Sequence, residues 1–136
     1  MHRLSLEITS DPVHLAPVRR KVEAFCTAAG FDEKAVGEVG LCVNEALANI
    51  TRHAYQGAID RPIKIEAQYE GDLLEITIRD WGNGQDPSNV PPKRDPLVPG
   101  GLGMVCLRTL MDEMTFTRQP DGMLLKMKKS RHSYGT

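Results

Sequence analysis

The chain of 136 residues has no long apolar run, no apolar N-terminal segment and almost no net charge. A membrane-spanning helix needs about 20 consecutive apolar residues, so no membrane anchor of that kind is expected. The first residues do not resemble the apolar core of a signal peptide, and the expected compartment is the cytoplasm. A formal net charge of −1 argues against a broad basic surface, so no direct nucleic-acid partner is expected.

The cysteines and histidines also lack the spacing of metal and redox motifs. Cys26, Cys42 and Cys106 are far apart and lie among apolar residues, which predicts buried small side chains. A metal site built from protein side chains alone is therefore not expected. The glycine-rich segments fit neither the lysine-containing phosphate loop nor the dinucleotide fingerprint that follows a parallel strand.

The periodicity of apolar residues predicts an α+β fold. Alternation predicts a first strand near residues 4–8 and two hairpins, near 63–78 and 115–127. Helical spacing predicts one helix at about 13–29, a second from about 33 to 55, and a third that begins after residue 103. This order predicts a two-layer α/β sandwich with a mixed, mostly antiparallel sheet and helices on one face. We expect a single domain, residues 1–129, and a polar tail, residues 130–136.

Short polar residues and glycine mark the ends of the first two helices. Asp11 followed by Pro12 is a helix-start signal, and Asp32 is suited to cap the second helix. Gly30 is a plausible stop for the first helix.

The segment 85–99 contains five prolines and is predicted to be a loop. A loop of this length in a compact domain often acts as a functional lid, and a simple disordered insertion is the alternative. Lys93 and Arg94 are its only basic residues. Either could reach a phosphate, but ordinary solvated charges are the better interpretation.

Glu45 and Asn49 lie four residues apart on the second predicted helix, so their side chains point the same way. The apolar stripe of this helix places them on the opposite side. An amide oxygen is a hard ligand suited to magnesium, and a carboxylate one turn away can accept a proton. The alternative is a solvated helix face.

Asp80, Gly82 and Gly84 follow the end of a predicted strand. A buried aspartate there can accept a hydrogen bond from an exocyclic amine, and glycines allow a flat ring to approach the backbone. An ordinary turn is the alternative. Trp81 either covers such a pocket or packs on the core, and the sequence does not decide between these roles.

Gly100, Gly101 and Gly103 precede the third predicted helix. Glycines let backbone N–H groups approach an anion, and the helix N-terminus adds a positive dipole end. These residues are therefore candidate phosphate contacts, with a flexible hinge as the alternative.

In this order, the three segments resemble the N, G1 and G2 boxes of the GHKL ATPases. The run from Asn44 to Tyr55, with its terminal His-Ala-Tyr, is similar to the N box of one branch, the small bacterial serine-protein kinases that act as anti-sigma factors. The resemblance extends to about Lys129 and implies the sandwich fold of that superfamily.

The resemblance implies ATP and Mg²⁺ as cofactors and a role for each candidate residue. Asn49 binds the magnesium, Glu45 is the general base, and Asp80 accepts a hydrogen bond from the adenine amine. Two glycines shape the surface beneath the adenine ring, Gly82 and Gly84. Three more contact the phosphates, and a histidine lines the pocket: Gly100, Gly101, Gly103 and His53.

The function implied is that of a serine/threonine-protein kinase in a bacterial partner-switching system that regulates transcription. Its partners are an anti-anti-sigma protein of the STAS type and a sigma factor, and the expected assembly is a homodimer. Two alternatives stay open. One is a nucleotide-dependent binding module with little or no kinase activity, and the other is the ATPase domain of a larger sensor kinase.

Overall fold

The computed structural model describes residues 2–82 and 110–131. Its strands are β1 (His2–Thr9), β2 (Pro62–Glu70), β3 (Leu73–Asp80), β4 (Glu113–Gln119) and β5 (Gly122–Ser130). Its α-helices are α1 (Leu15–Ala28), which follows a 3₁₀ turn (Pro12–His14), and α2 (Glu33–Asn49), which continues into a π-turn (Ile50–Ala54). The predicted lid, and the glycines at which the third helix is predicted to begin, lie outside the described residues.

The described strands form one sheet in the order β1-β2-β3-β5-β4. All four neighbouring pairs are antiparallel. The α+β sandwich is therefore confirmed, but the sheet is antiparallel throughout its described part rather than mixed. The β4–β5 hairpin joins the sheet through β5, which pairs with β3, and β4 lies at the edge. This pairing places the start of β5 next to the end of β3.

The predicted caps act as expected. The Asp11 carboxylate accepts a hydrogen bond from the N–H of Val13 at 3.0 Å, and the Asp32 carboxylate accepts one from Ala35 at 2.8 Å. Each bond satisfies a backbone donor that the first helical turn leaves without a partner. Gly30 ends α1 with a φ of 96°, a conformation that costs a residue without Cβ very little.

The core lies between the two helices and one face of the sheet. Alternate residues of the three central strands point inward and are buried, and α2 supplies apolar side chains above them. Among the most completely buried are Val39, Val43, Leu47, Ile65, Ile76, Ile78 and Met127. Asp80 continues the inward alternation of β3. The fold therefore places one carboxylate at the end of the core face.

The outer face of the sheet carries polar side chains that bond to one another. Gln68 Nε2 donates to Glu75 Oε2 at 2.6 Å, and Arg3 donates to Gln68 Oε1 at 3.2 Å. No described helix covers this face, so its polar side chains form hydrogen bonds with one another and with water. Among the described residues, no helix is long and apolar enough to cross a bilayer.

Buried cysteines pack at the junction of the helices, as expected for Cys26 and Cys42. Burial, together with the charge of Glu23, raises the pKa of Cys26 to about 12. The Glu23 side chain occupies space that a Cβ at Gly40 would fill, so α1 and α2 approach closely there. Cys106 lies outside the described residues.

The C-terminal end of β5 extends one residue beyond the predicted domain limit. Ser130 pairs with Leu73 in the sheet, and the Arg131 guanidinium lies 2.7 Å from the Asp72 carboxylate. The first two residues of the predicted tail thus contact the body of the fold, whereas residues 132–136 lie outside the described part.

Candidate functional site

One ridge of α2 carries Glu38, Glu45 and Asn49, which are separated by close to whole numbers of turns at about 3.6 residues per turn. Glu38 Oε1 lies 3.6 Å from Lys129 Nζ on β5. The ridge therefore faces the β5 side of the sheet. The contact between Gly40 and Glu23 lies on a different side of the helix, where α1 packs.

Asn49 is buried, with 6% of its surface exposed, and Glu45 is half-buried. The interpretation of this ridge as a solvated helix face is wrong for Asn49. Its position opposite the apolar stripe does not expose it, because the side of α2 that faces β5 is also covered. A buried carboxamide requires hydrogen-bond partners.

The continuous helix predicted to residue 55 is interrupted directly after Asn49. The N–H of Tyr55 bonds to the carbonyl of Ile50 at 3.0 Å, which is the five-residue spacing of a π-helix. Thr51 Oγ1 lies 2.9 Å from the carbonyl oxygen of Ser10, to which it donates. Single π-turns occur frequently at functional sites, and this one lies directly beyond the predicted magnesium ligand.

Asp80 is 4% exposed at the inner end of β3. Burial raises the pKa of its carboxyl group, and the N–H of Gly82, the charge of Arg79 and the N–H of Met123 act in the opposite direction. The bond from Gly82 to Asp80 Oδ1 measures 2.9 Å. A carboxylate has about four acceptor positions, so these two N–H groups leave room for a further donor.

Gly82 lies directly against the end of the π-turn. A Cβ at Gly82 would overlap the carbonyl of Ala54 and lie 2.8 Å from the Ala54 Cβ. Gly122 makes a similar close approach from β5, where a Cβ would overlap the Asp80 carbonyl oxygen. The structure therefore brings the turn after β3 and the segment that follows Asn49 into contact.

His53 and Trp81 lie beside this contact. His53 belongs to the π-turn and is mostly exposed, and the pKa of its imidazole is lowered by partial burial and then by the charge of Arg52. Trp81 is 38% exposed, and the Arg79 guanidinium carbon lies 4.6 Å from its ring centroid. The indole therefore stacks on Arg79 and is not packed in the core, while the role of covering a nucleotide pocket stays a prediction.

The remaining predicted contacts lie outside the described residues, and they stay predictions: Gly84, Gly100, Gly101 and Gly103, with Lys93 and Arg94 of the lid. Within residues 2–82 and 110–131, no group of three or more His, Cys, Asp or Glu side chains could hold a metal ion. A magnesium ion at Asn49 would therefore take most of its ligands from phosphate and water, which is its usual behaviour in proteins.

Two residues of this region were not identified from the sequence. Tyr55 appeared only as the end of a matching run, yet its hydroxyl group contacts both Pro62 and Trp81. Gly122 was not singled out as a site residue and falls within the hairpin predicted near residues 115–127. The bridge made by Tyr55 and the close approach at Gly122 both depend on segments distant in the chain, so neither has a local sign in the sequence.

Comparison with protein families gives a match between residues 8–129 and the family described as the histidine kinase-like ATPase domain. Serine-protein kinase RsbW of Listeria innocua is 28% identical over 124 residues, which cover 84% of this chain and 79% of that protein. Serine-protein kinase RsbW of Bacillus pumilus is 26% identical over 122 residues, or 82% and 75% of the two chains.

Two solved structures share the fold. One contains the RsbU and RsbW domains of a Mycobacterium tuberculosis protein, with a TM-score of 0.72 and 14% identity. The match covers 96% of this chain and 32% of that one. The other is the histidine kinase domain of a blue-light activated histidine kinase from Erythrobacter litoralis, with a TM-score of 0.58, 19% identity, and coverage of 88% and 60%. At these identities the likeness concerns the fold alone.

Proposed function

The chain belongs to the histidine kinase-like ATPase domain family, within the GHKL superfamily, and we propose that it is an ATP-dependent serine-protein kinase. Its proposed substrate is a serine of an anti-anti-sigma protein of the STAS type. We further propose that it sequesters a sigma factor, acts as a homodimer and works in the cytoplasm. The observation that supports this most directly is the contact between the turn that carries Asp80 and the segment that follows Asn49.

Adenine recognition is assigned to Asp80. A carboxylate buried at the end of a core strand is costly unless it has donors, and two backbone N–H groups already supply part of what it needs. The exocyclic amine of adenine is a further donor of suitable chemistry. The missing side chain of Gly82 lets the backbone of Ala54 pack against it, and its N–H is one of the donors to the Asp80 carboxylate.

Magnesium binding is assigned to the amide oxygen of Asn49. Asparagine is a poor residue for a helix interior and costs up to about 0.7 kcal/mol relative to alanine. Its presence and burial at the end of α2 are therefore explained better by a ligand role than by helix stability. Magnesium, when bound, offsets the negative charge that the phosphate oxygens carry during transfer.

Glu45 is assigned as the general base. It is half-buried one helical turn before Asn49, on the same ridge, so its carboxylate faces the side where the phosphates are proposed to lie. It would accept the proton of the partner's serine hydroxyl while the serine oxygen bonds to the γ-phosphorus and the bond to the β-phosphate oxygen breaks. The glycines at 100, 101 and 103 are proposed to donate N–H groups to the phosphates.

The binding test is calorimetric titration of ATP, with Mg²⁺ or with EDTA, into wild type and Asn49→Ala. We expect the magnesium-dependent part of the affinity to disappear in Asn49→Ala. Asn44→Ala removes an amide from the same helix and should leave this part intact. If Asn49→Ala keeps the full magnesium effect, Asn49 is not a ligand.

The transfer test uses γ-labelled ATP and candidate STAS-type partners. Serine phosphorylation should be lost in Glu45→Gln and retained in Glu38→Gln, which changes a carboxylate two turns away on the same ridge. ATP binding without transfer to any partner would contradict the kinase assignment. It would instead favour a nucleotide-dependent binding module.

A further inference from the structure

Tyr55 closes the π-turn and is buried, with 9% of its surface exposed. Its hydroxyl group donates to the carbonyl oxygen of Pro62 at 2.5 Å and accepts from the backbone N–H of Trp81 at 2.8 Å. Burial is the largest influence on the phenol and raises its pKa, so the group keeps its proton at neutral pH. One hydroxyl therefore joins the first residue of β2 to the residue that follows β3.

The two residues that Tyr55 joins come next in the antiparallel ladder. Ile63 pairs with Asp80, so the following pair would be Pro62 and Trp81. Proline has no N–H and can give only half of a ladder pair. The hydroxyl of Tyr55 is inserted between the N–H of Trp81 and the carbonyl of Pro62. The ladder is thus opened by one side-chain oxygen directly after Asp80.

The same segment holds the turn from a second direction. Ala54 lies against Gly82 so closely that no Cβ fits between them, and the N–H of Gly82 donates to the Asp80 carboxylate at 2.9 Å. The neighbouring residues Ala54 and Tyr55 therefore fix both peptide groups that follow Asp80. The orientation of the carboxylate depends on these peptide groups.

We propose that Tyr55 is a positioning and specificity-determining residue, whose hydroxyl holds the 80–82 turn so that the Asp80 carboxylate meets the exocyclic amine of adenine. This inference rests on the proposed ATP site. It predicts that removal of one oxygen atom, whose two hydrogen bonds go to backbone groups, weakens discrimination between adenine and a purine without that amine.

The test compares wild type with Tyr55→Phe by titration of ATP and of inosine triphosphate, which has a carbonyl in place of the amine. A hydrogen bond to a charged group gives a preference for ATP on the order of 10- to 100-fold in wild type. Tyr55→Phe should reduce this preference to within about 3-fold, since the bond to the amine is its source. Circular dichroism melts define a temperature at which both proteins are folded.

Tyr69→Phe is the matched control. Tyr69 is also a buried tyrosine, near the other end of β2, and its hydroxyl has no hydrogen-bond partner among the described residues. Loss of that oxygen should leave the preference for ATP unchanged. An equal fall in the affinities for both nucleotides in Tyr55→Phe would mean a structural role only, and would overturn the proposal.

Amide exchange of Trp81 gives a second readout that needs no nucleotide. The Trp81 N–H should be protected in wild type and exchange more than about 10-fold faster in Tyr55→Phe, because its acceptor is removed. An unprotected Trp81 amide in wild type overturns the inference even if the variant does not fold. If wild type binds no ATP, the proposed function fails as well. If Tyr55→Phe still binds ATP and its preference for ATP over inosine triphosphate is unchanged, the inference about Tyr55 fails while the proposed ATP site stands.

Discussion

Gly82→Ala should destabilise the protein and impair nucleotide binding together. A Cβ at this position overlaps the Ala54 carbonyl oxygen and lies 2.7 Å from the Ala54 carbonyl carbon. These are backbone atoms of the π-turn, so they cannot rotate away as the end of a flexible side chain would. The added methyl group must push apart the two segments that the proposed site brings together.

The expected magnitude follows from two opposing effects. Overpacking costs about 1–3 kcal/mol, and the smaller entropy of the unfolded chain with alanine returns about 0.4–1 kcal/mol. Contact with backbone places the cost in the upper part of its range, so we expect a net loss of about 1–2 kcal/mol. For a chain of this size, each kcal/mol lowers the Tm by roughly 3–5 °C.

Gly37→Ala is the control for this substitution. Gly37 lies within α2, and apart from the helix's own backbone no atom of the described residues lies within 4 Å of the position of its Cβ. Alanine in a helix interior is better than glycine by about 0.5–1 kcal/mol, so this variant should melt at a higher temperature. The same chemical change is therefore expected to act in opposite directions at the two positions.

The assay combines thermal melts followed by circular dichroism with titration of ATP in the presence of Mg²⁺. Trp81, the only tryptophan of the chain, adjoins Gly82 and provides a fluorescence signal for binding. Shifts of Tm in the same direction for both variants would refute the steric reasoning. Wild-type ATP affinity in Gly82→Ala would refute the placement of the adenine beside this turn.

Three further outcomes are expected. Burial raises the pKa of Asp80 in the folded state above its ordinary value of 3.8. At pH values between the unfolded and the folded pKa, the folded protein binds more protons than the unfolded chain, so the free energy of unfolding falls as pH rises through that interval. Asp80→Asn should flatten this dependence in urea unfolding at a series of pH values. Ser10→Ala should cost about 1–3 kcal/mol in urea unfolding, because the carbonyl of Ala58 and the N–H of Arg61 lose the buried hydroxyl that bonds to both. Cys26, whose pKa is raised to about 12, should resist iodoacetamide at pH 8 until the protein unfolds, as mapped by mass spectrometry of its peptides.

Local patterns predicted most of the scaffold because the forces that decide it are local. Alternation predicted which residues of β2 and β3 point inward, and in the structure Asp80 continues the same pattern. The capping residues Asp11 and Asp32 were recognisable because a helix start needs an acceptor within three residues. The order of the described strands along the chain is confirmed on the same basis.

The predictions that failed depended on contacts between distant segments. Asn49 was placed on the side of α2 away from the apolar stripe, but it is buried there, and Glu38 on the same ridge contacts Lys129, far along the chain. The π-turn was not predictable from helical periodicity, since the Thr51 hydroxyl bonds to Ser10, more than forty residues earlier in the chain. The mixed sheet was an inference from element order, which does not determine the direction of every pair.

The turn after β3 packs against segments that are distant in the chain, and this explains why its Asp-x-Gly pattern was visible in the sequence while its geometry was not. Gly82 lies against the backbone of Ala54 and Gly122 against the backbone of Asp80, at distances that leave no room for a Cβ. Among the described contacts of the Trp81 N–H, the acceptor is a side-chain oxygen, that of Tyr55. Main-chain contacts can change only if the chain moves, whereas this oxygen can be deleted with the ring left in place. The fold therefore supplies the position of the proposed adenine site, and a single hydroxyl group offers the most direct means to alter its selectivity without altering the fold.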